Sequence, residues 1–248
     1  MFPSAKNILV IDSTDSTNNY AMALIQKDIA IDGSAVFAME QTNGRGRRGR
    51  QWKSKKGDNI ILSISLQMQW LPILQQFQLS VTVALGCFDL LSKYAPGKAY
   101  VKWPNDLFLN DTKAGGILIE NTIKGTLWQW AVIGIGLNIN QTDFEATNLN
   151  ATSLGMVTEK AFPVLQLVEE LYEFILKRVE DLKSGYFLRM LETYNQYLFA
   201  RNKEVMLRQN GNIFETKIMG VTDAGQLITR DEIERKFNFD EVEFIGLL

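Results

Sequence analysis

Seven basic residues and no acidic one lie between Arg45 and Lys56: Arg45, Arg47, Arg48, Arg50, Lys53, Lys55 and Lys56. They are interleaved with Gly44, Gly46, Gly49 and Gly57. Arginines spaced by glycine can close on one oxyanion, each planar fork bonding two oxygens, so the segment can clamp a phosphate chain. The same composition suits a solvated basic loop, or an arm that contacts RNA or DNA. Glycines permit many conformations and like charges repel, so the loop is expected to be mobile until an anion enters it. Trp52, just past the arginines, offers a face for a purine and is expected to order only with it.

None of the 248 residues is histidine, and the one cysteine is Cys87. That removes Ser-His-Asp and Cys-His nucleophile systems, His-ligated metal sites and intramolecular disulfides. Chemistry must run on Arg, Lys, Asp, Glu, Asn, hydroxyls, backbone dipoles and a metal brought in by a substrate. Cys87 sits in an apolar helical stretch beside Phe88, the setting of a small hydrophobe and not of a nucleophile. The formal net charge of −2 predicts no general affinity for nucleic acid. The short apolar run Ile8 to Ile11 ends at Asp12, and no run approaches the roughly 18 apolar residues of a membrane helix. A soluble, cytoplasmic protein with no membrane partner is the expectation.

The elements that must position these residues follow from periodicity. Ser16 and Thr17 read as the cap of a short helix over Asn18 to Ile25. Ala35 to Met39 reads as a buried strand leading to Gln41 and the basic loop. Asn59 to Gln67 alternates cleanly, Ile60, Leu62, Ile64 and Leu66 against Ile61, Ser63, Ser65 and Gln67. Pro72 opens a helix with Leu74, Phe77, Val81, Ala84, Leu85, Phe88 and Leu91 on its apolar face. Strands are expected at Ala99 to Lys102, Leu107 to Leu109, Gly115 to Glu120 and Trp128 to Asn140, the last two joined by a turn near Lys124-Gly125. Two helices follow, Ala161 to Lys183 and Gly185 to Phe199. After about Arg201 short strand candidates crowd together (Val205 to Arg208, Ile213 to Val221, Gln226 to Thr229, Lys236 to Phe239, Glu243 to Ile245). Their turns fall at Asn210-Gly211 and Asp223-Ala224-Gly225. Helices and strands without regular βαβ alternation indicate α+β: a mixed or antiparallel sheet with flanking helices, plus a small C-terminal β-barrel. The expected division is 1–200 and 201–248.

Four segments in order carry a resemblance: Gly44-Arg45-Gly46-Arg47-Arg48-Gly49-Arg50, Lys102-Trp103-Pro104-Asn105-Asp106, Lys113-Ala114-Gly115-Gly116-Ile117-Leu118 and Gly134-Ile135-Gly136-Leu137-Asn138. Together they resemble the biotin–protein ligases, whose catalytic fold is class II synthetase-like with an SH3-like C-terminal domain. The resemblance implies formation of biotinyl-5′-AMP from biotin and MgATP, with release of pyrophosphate. Transfer to a lysine of a biotin carboxyl carrier domain follows. It implies biotin binding at Ser16, Thr17, Asn18, Gln41, Arg45, Gly46, Arg47 and Lys113, and Gly115 and Gly116 are expected to let the strand backbone come close to biotin. Its ATP and adenylate positions fall on Arg47, Arg50, Trp52, Asn105, Asp106, Lys113 and Asn138, with Mg²⁺ carried on the phosphates. The chain starts close to the first motif, so no DNA-binding domain is expected in front. The family's Lys-Leu-Ala-Gly variant here reads Lys113-Ala114-Gly115-Gly116.

In that chemistry a carboxylate attacks an α-phosphate, and the demand is charge neutralisation and alignment, not proton transfer. Arg47 and Lys113 are the expected catalytic cations. In the transfer step the attacking lysine must lose a proton, its unperturbed pKa being about 10.4; Asp106 is the candidate base. The same carboxylate suits a structural turn or a metal ligand. Ser16 and Thr17 suit helix capping as well as the polar end of biotin. Lipoate ligases and octanoyltransferases are the nearest alternative, disfavoured by the missing histidine and by the setting of Cys87. An exposed strand edge would serve a homodimer or carrier docking, and the sequence does not decide between them.

Overall fold

The computed structural model describes residues 2–3, 7–144 and 150–247. The chain runs β1 (Phe2–Pro3), β2 (Ile8–Thr14), α1 (Thr17–Gln26), β3 (Ala35–Gln41), β4 (Asn59–Gln67), α2 (Gln76–Tyr94), β5 (Ala99–Lys102), β6 (Asp106–Leu109), β7 (Thr112–Lys124) and β8 (Leu127–Asn138). Then come α3 (Leu154–Thr158), α4 (Val164–Lys183) and α5 (Phe187–Gln196). Last are β9 (Glu204–Gln209), β10 (Asn212–Val221), β11 (Leu227–Arg230), β12 (Glu234–Phe237) and β13 (Glu243–Leu247). Eight strands form one mixed sheet in the order β1-β2-β3-β4-β8-β7-β6-β5. Within it β2 and β3 are parallel and every other pair is antiparallel. The five C-terminal strands form an antiparallel sheet, β12-β11-β10-β9-β13.

The alternation along β4 divides the molecule. Ile60, Leu62, Ile64 and Leu66 join the core with Ala131, Ile133, Ile135 and Leu137 of β8 and the apolar residues of α2 and α4. The opposite face of β4 is buried too, but by the site: Ser63 Oγ lies 2.7 Å from Thr17 Oγ1 and 2.6 Å from Asn18 Oδ1. The two faces of one strand thus carry stability and function separately. On α2 the residues Leu79, Val81, Val83, Leu85, Cys87, Leu90 and Leu91 are all fully buried. This helix is long and apolar enough to cross a membrane, yet most of it is buried inside the protein, as in a core helix.

Several boundaries move from their expected positions for local reasons. Pro72 caps a 3₁₀ turn, Ile73–Gln75, and the α-helix begins only at Gln76; Leu74 is 94% exposed instead of on the apolar face. Pro163 is the N-cap of α4, so the helix starts at Val164 and not at Ala161. The second of that pair starts at Phe187 after Gly185 turns at φ 82° and ends at Gln196. The strand expected over Lys236 to Phe239 runs Glu234–Phe237, because Asp240 takes a left-handed φ of 69° and turns the chain. The apolar run at Ile8 is a strand beside β3. At the far edge of the large sheet, β5 is covered at Val101, which accepts from Phe199 N–H at 2.8 Å and donates to Tyr197 C=O at 3.0 Å.

Candidate active site

The site lies on the sheet face away from the α2 core, where three central strands present small residues. Glycines clear the space. A Cβ on Gly134 would come 2.4 Å from Asn18 Oδ1, and one on Gly136 would come 2.6 Å from the Trp52 indole. Gly116 faces Asp106 and Lys113. Gly115, in contrast, makes room for Leu137 and the Gly136 carbonyl, so its role is close strand pairing.

Helix α1 arrives over these strands with its N-terminus at the site. Ser16 is the N-cap, its hydroxyl accepting from Asn19 N–H at 3.5 Å. Thr17 donates twice to Gln41 Oε1, from N–H at 2.8 Å and from the hydroxyl at 3.0 Å. With its oxygen engaged, the Gln41 amide has its Nε2 donor left for another partner. Asn18 donates to Leu118 C=O at 3.3 Å and to Glu120 Oε2 at 2.7 Å. Glu120 also accepts from Arg45, whose Nη2 lies 3.3 Å from both carboxylate oxygens. Ser63 and Glu120 thus set the orientation of Thr17, Asn18 and Arg45. Neither was anticipated, although the polar positions on one face of an otherwise apolar strand were the available signal.

The basic loop is folded back on itself rather than open. Arg45 bridges Gln51, Gly46 N–H donates to Arg50 C=O at 2.7 Å, and Trp52 N–H donates to Gly44 C=O at 2.9 Å. Arg48 and Gly49 take left-handed φ values of 55° and 71° at its tip. Asp240, from the turn between β12 and β13, holds two arginines, with Arg47 at 3.0 Å and Arg48 at 2.9 Å. Arg47 also lies over the Phe239 ring and donates to Asn105 Oδ1 at 3.3 Å. These contacts lay the loop against the turn before β13. Trp52 is packed on Gly136, its buried indole N–H unpaired.

Lys113 and Asp106 stand at the centre. A bulge in the β6–β7 pair, where Phe108 opposes Lys113 and Leu107 opposes Gly115, leaves Ala114 as the extra residue. The bulge turns Lys113 toward the face of Gly116, the usual consequence of a bulge beside a site. Its Nζ meets Asp106 Oδ1 at 2.6 Å. Two cavities share this wall. One, about 60 Å³, is lined by Ser16, Thr17, Asn18, Gln41, Arg45, Trp52, Gly116 and Gly136 together with Asn105, Asp106 and Lys113. The other, about 200 Å³, lies between the β5–β6 hairpin and the small sheet, and also touches Asn105, Asp106 and Lys113. Arg47, Arg48, Arg50 and Lys102 supply its charge.

The expected positions therefore converge, with three exceptions. Asn138 is buried, donates to Thr152 C=O at 3.0 Å and lines none of these cavities. Gly115 and Gly46 also stay off the cavity walls. Cys87 is fully buried inside α2, and burial pushes its thiol far above the range of a nucleophile. Among the described residues no group of three or more acidic or Cys side chains could hold a metal.

A mixed sheet flanked by helices thus carries an arginine- and glycine-rich loop beside a small polar pocket, the architecture of a ligase-type fold. The model of the Biotin/lipoate A/B protein ligase family matches residues 10–138, and the chain belongs to that family. A biotin–[acetyl-CoA-carboxylase] ligase of Paracoccus denitrificans is 32% identical over 240 residues, covering 90% of this chain and 94% of that one. The bifunctional ligase/repressor BirA of Bacillus subtilis is 27% identical over 241 residues, 95% of this chain and 73% of the relative. In structure, the biotin protein ligase of Aquifex aeolicus in complex with biotin and ATP superposes with a TM-score of 0.82 at 23% identity. That alignment covers 97% of this chain and 99% of the other.

Proposed function

We propose that the protein is a biotin–protein ligase that makes biotinyl-5′-AMP from biotin and ATP and transfers biotin to a lysine of a carboxylase carrier domain. The observation that carries this reading is the wall of Asn105, Asp106 and Lys113 common to both cavities. A carboxylate reaching that wall from the smaller pocket meets an α-phosphate arriving from the larger one. The nucleophile belongs to the substrate, so a chain without histidine can run the reaction.

Gln41 Nε2, Ser16 and Asn18 surround the polar end of biotin, and Arg45 and Trp52 close over it. Lys113 holds the carboxylate and the α-phosphate together as a fixed positive charge. Removing one such group typically costs about 2.7–4 kcal/mol of barrier height. Arg47 and Arg50 neutralise the phosphate chain and Trp52 is read toward the adenylate, while Asn138, off the cavity walls, braces the end of β8 through Thr152 C=O. Mg²⁺ takes one or two carboxylates and otherwise phosphate oxygens and water; Asp106, whose Oδ1 alone is bonded, fits that need. Bound there, the ion would withdraw charge from the phosphates. In the second step Asp106 takes or orients the proton of the incoming lysine. The five-stranded C-terminal sheet, 201–248, fits the SH3-like module of such ligases, and 1–200 the catalytic unit.

Two substrate classes compete within the family, biotin and lipoate or octanoate. An acyl-enzyme route would need a reactive thiol, and Cys87 is buried away from the site. ATP–pyrophosphate exchange dependent on biotin, repeated with lipoate and octanoate, decides the matter. Exchange with biotin alone is the expected result; exchange with lipoate but not biotin overturns the assignment.

A further inference from the structure

The larger cavity contains a lysine that the family resemblance did not assign. Lys102 ends β5, and its ammonium lies between two rings, 4.7 Å from the centroid of Phe108 and 4.4 Å from that of Phe244. Aromatic faces hold a cation in place without neutralising it. Of the neighbouring cations, Lys113 has Asp106 to itself, while Arg47 and Arg48 share the single carboxylate of Asp240. Glu243, the remaining acid on the cavity, is paired to Arg208. Among the described residues Lys102 and Arg50 have no carboxylate partner. Burial lowers the pKa of Lys102; Asp106 opposes this, and Lys113 and Arg50 add to it. A desolvated ammonium beside Arg50 and an arginine pair that shares one carboxylate leaves the cavity wall with excess positive charge, which suits a polyanion.

We propose that Lys102 binds the β- and γ-phosphates of ATP and holds pyrophosphate as it leaves. This rests on the ligase reading above. In the step concerned, a biotin carboxylate oxygen bonds to the α-phosphorus as the bond from that phosphorus to the bridging oxygen breaks. The electron pair departs on pyrophosphate, and no proton is transferred. Negative charge grows on the leaving group, and an ammonium already pinned between rings meets it without reorganising. Lys102 is thus a catalytic residue for adenylation and has no part in transfer, since pyrophosphate is gone by then. The competing view is a strut, in which Lys102 only ties Phe108 of β6 to Phe244 of β13.

The experiment separates the half-reactions in the full-length protein. Lys102→Met keeps the aliphatic stem between the rings and removes the charge. It should raise the KM for ATP and for pyrophosphate in biotin-dependent exchange by about tenfold or more. Transfer from added biotinyl-5′-AMP should stay within about twofold, and Lys102→Arg should restore exchange in part. Equal losses in both half-reactions, or unchanged exchange, would overturn the proposal. A second measurement needs no variant. In the wild-type protein with biotin present, inorganic pyrophosphate should shield Lys102 from acetylation by acetic anhydride, read by mass spectrometry. Equal labelling with and without pyrophosphate overturns the proposal. Absence of biotin-dependent exchange in the wild-type protein instead removes the ligase reading itself.

Discussion

Lys113 Nζ and Asp106 Oδ1 meet at 2.6 Å across the bulged β6–β7 pair, and the contact forms part of the wall between the two cavities. Each partner is about a quarter exposed or less, with side-chain exposures of 25% and 21%. Under the proposed function, the cation for phosphate and the carboxylate for an incoming amine are held at one point.

Asp106→Asn tests the second of these. General-base assistance is worth roughly 10²–10⁴-fold in rate. Transfer from preformed biotinyl-5′-AMP to a carrier lysine should slow by about a hundredfold or more, with the loss recovering as pH rises and the lysine loses its proton unaided. Single-turnover transfer assays across pH read this directly. A rate equal to wild type at neutral pH would remove the base role from Asp106.

Glu120 lies outside the lining of the smaller pocket but contacts two residues of it. It accepts from Asn18 at 2.7 Å and from Arg45 at 3.3 Å, so Glu120→Ala leaves Asn18 with Leu118 C=O and Ser63, and Arg45 with Asn19, as their remaining partners. The Arg45 contact is half exposed and weak; the Asn18 bond carries most of the effect. Biotin affinity should fall by roughly 1–2 kcal/mol, about five- to thirtyfold. Glu120→Gln, which still accepts from Asn18, should lose less. Titration calorimetry with biotin compares the three proteins, and identical affinities would remove Glu120 from the pocket's support.

Much of this arrangement was legible from residue order because it is written in short-range patterns. The Ser16 cap, the two faces of β4 and the Asn210-Gly211 hairpin depend on neighbours in sequence, and the structure has all three. What the sequence did not disclose depends on contacts far along the chain. Asp240 lies 193 residues from Arg47, yet it pairs with that arginine. Nothing local to Arg45 through Lys56 marks that partner. The packing of Trp52 on Gly136 is similar: a glycine in a strand is visible, but the ring that fills its space is not. Leu74 failed for the opposite reason. Helical spacing was extended across a proline-capped 3₁₀ turn, where the phase changes.

The Trp52–Gly136 contact can be measured by a double-mutant cycle. Gly136→Ala places a methyl group within 2.6 Å of the indole as it now lies, and overpacking of this kind costs about 1–3 kcal/mol. Denaturant unfolding should show that loss in the wild-type background. In a Trp52→Ala background the same substitution should cost far less, because the space is free. Additive costs would mean that the indole does not occupy the space above Gly136 in solution.

Far from the site, Glu170 on α4 joins α2 through Lys93 at 2.8 Å and the Tyr94 hydroxyl at 2.9 Å. Burial alone would raise its pKa, but the bonds from Lys93, Tyr94 and Gln166 outweigh it and hold the carboxyl below its ordinary value of 4.5. In the unfolded chain those donors are gone and the group takes a proton sooner as pH falls. The contact therefore stabilises the fold fully above about pH 4.5, and that share is lost as pH drops through the lowered folded value. Glu170→Gln keeps an acceptor but has no proton to gain. Its melting temperature should lie below wild type at neutral pH and converge on it toward pH 3, the other carboxylates cancelling in the difference. A constant gap across that range would show that the charge of Glu170 contributes nothing to the α2–α4 contact.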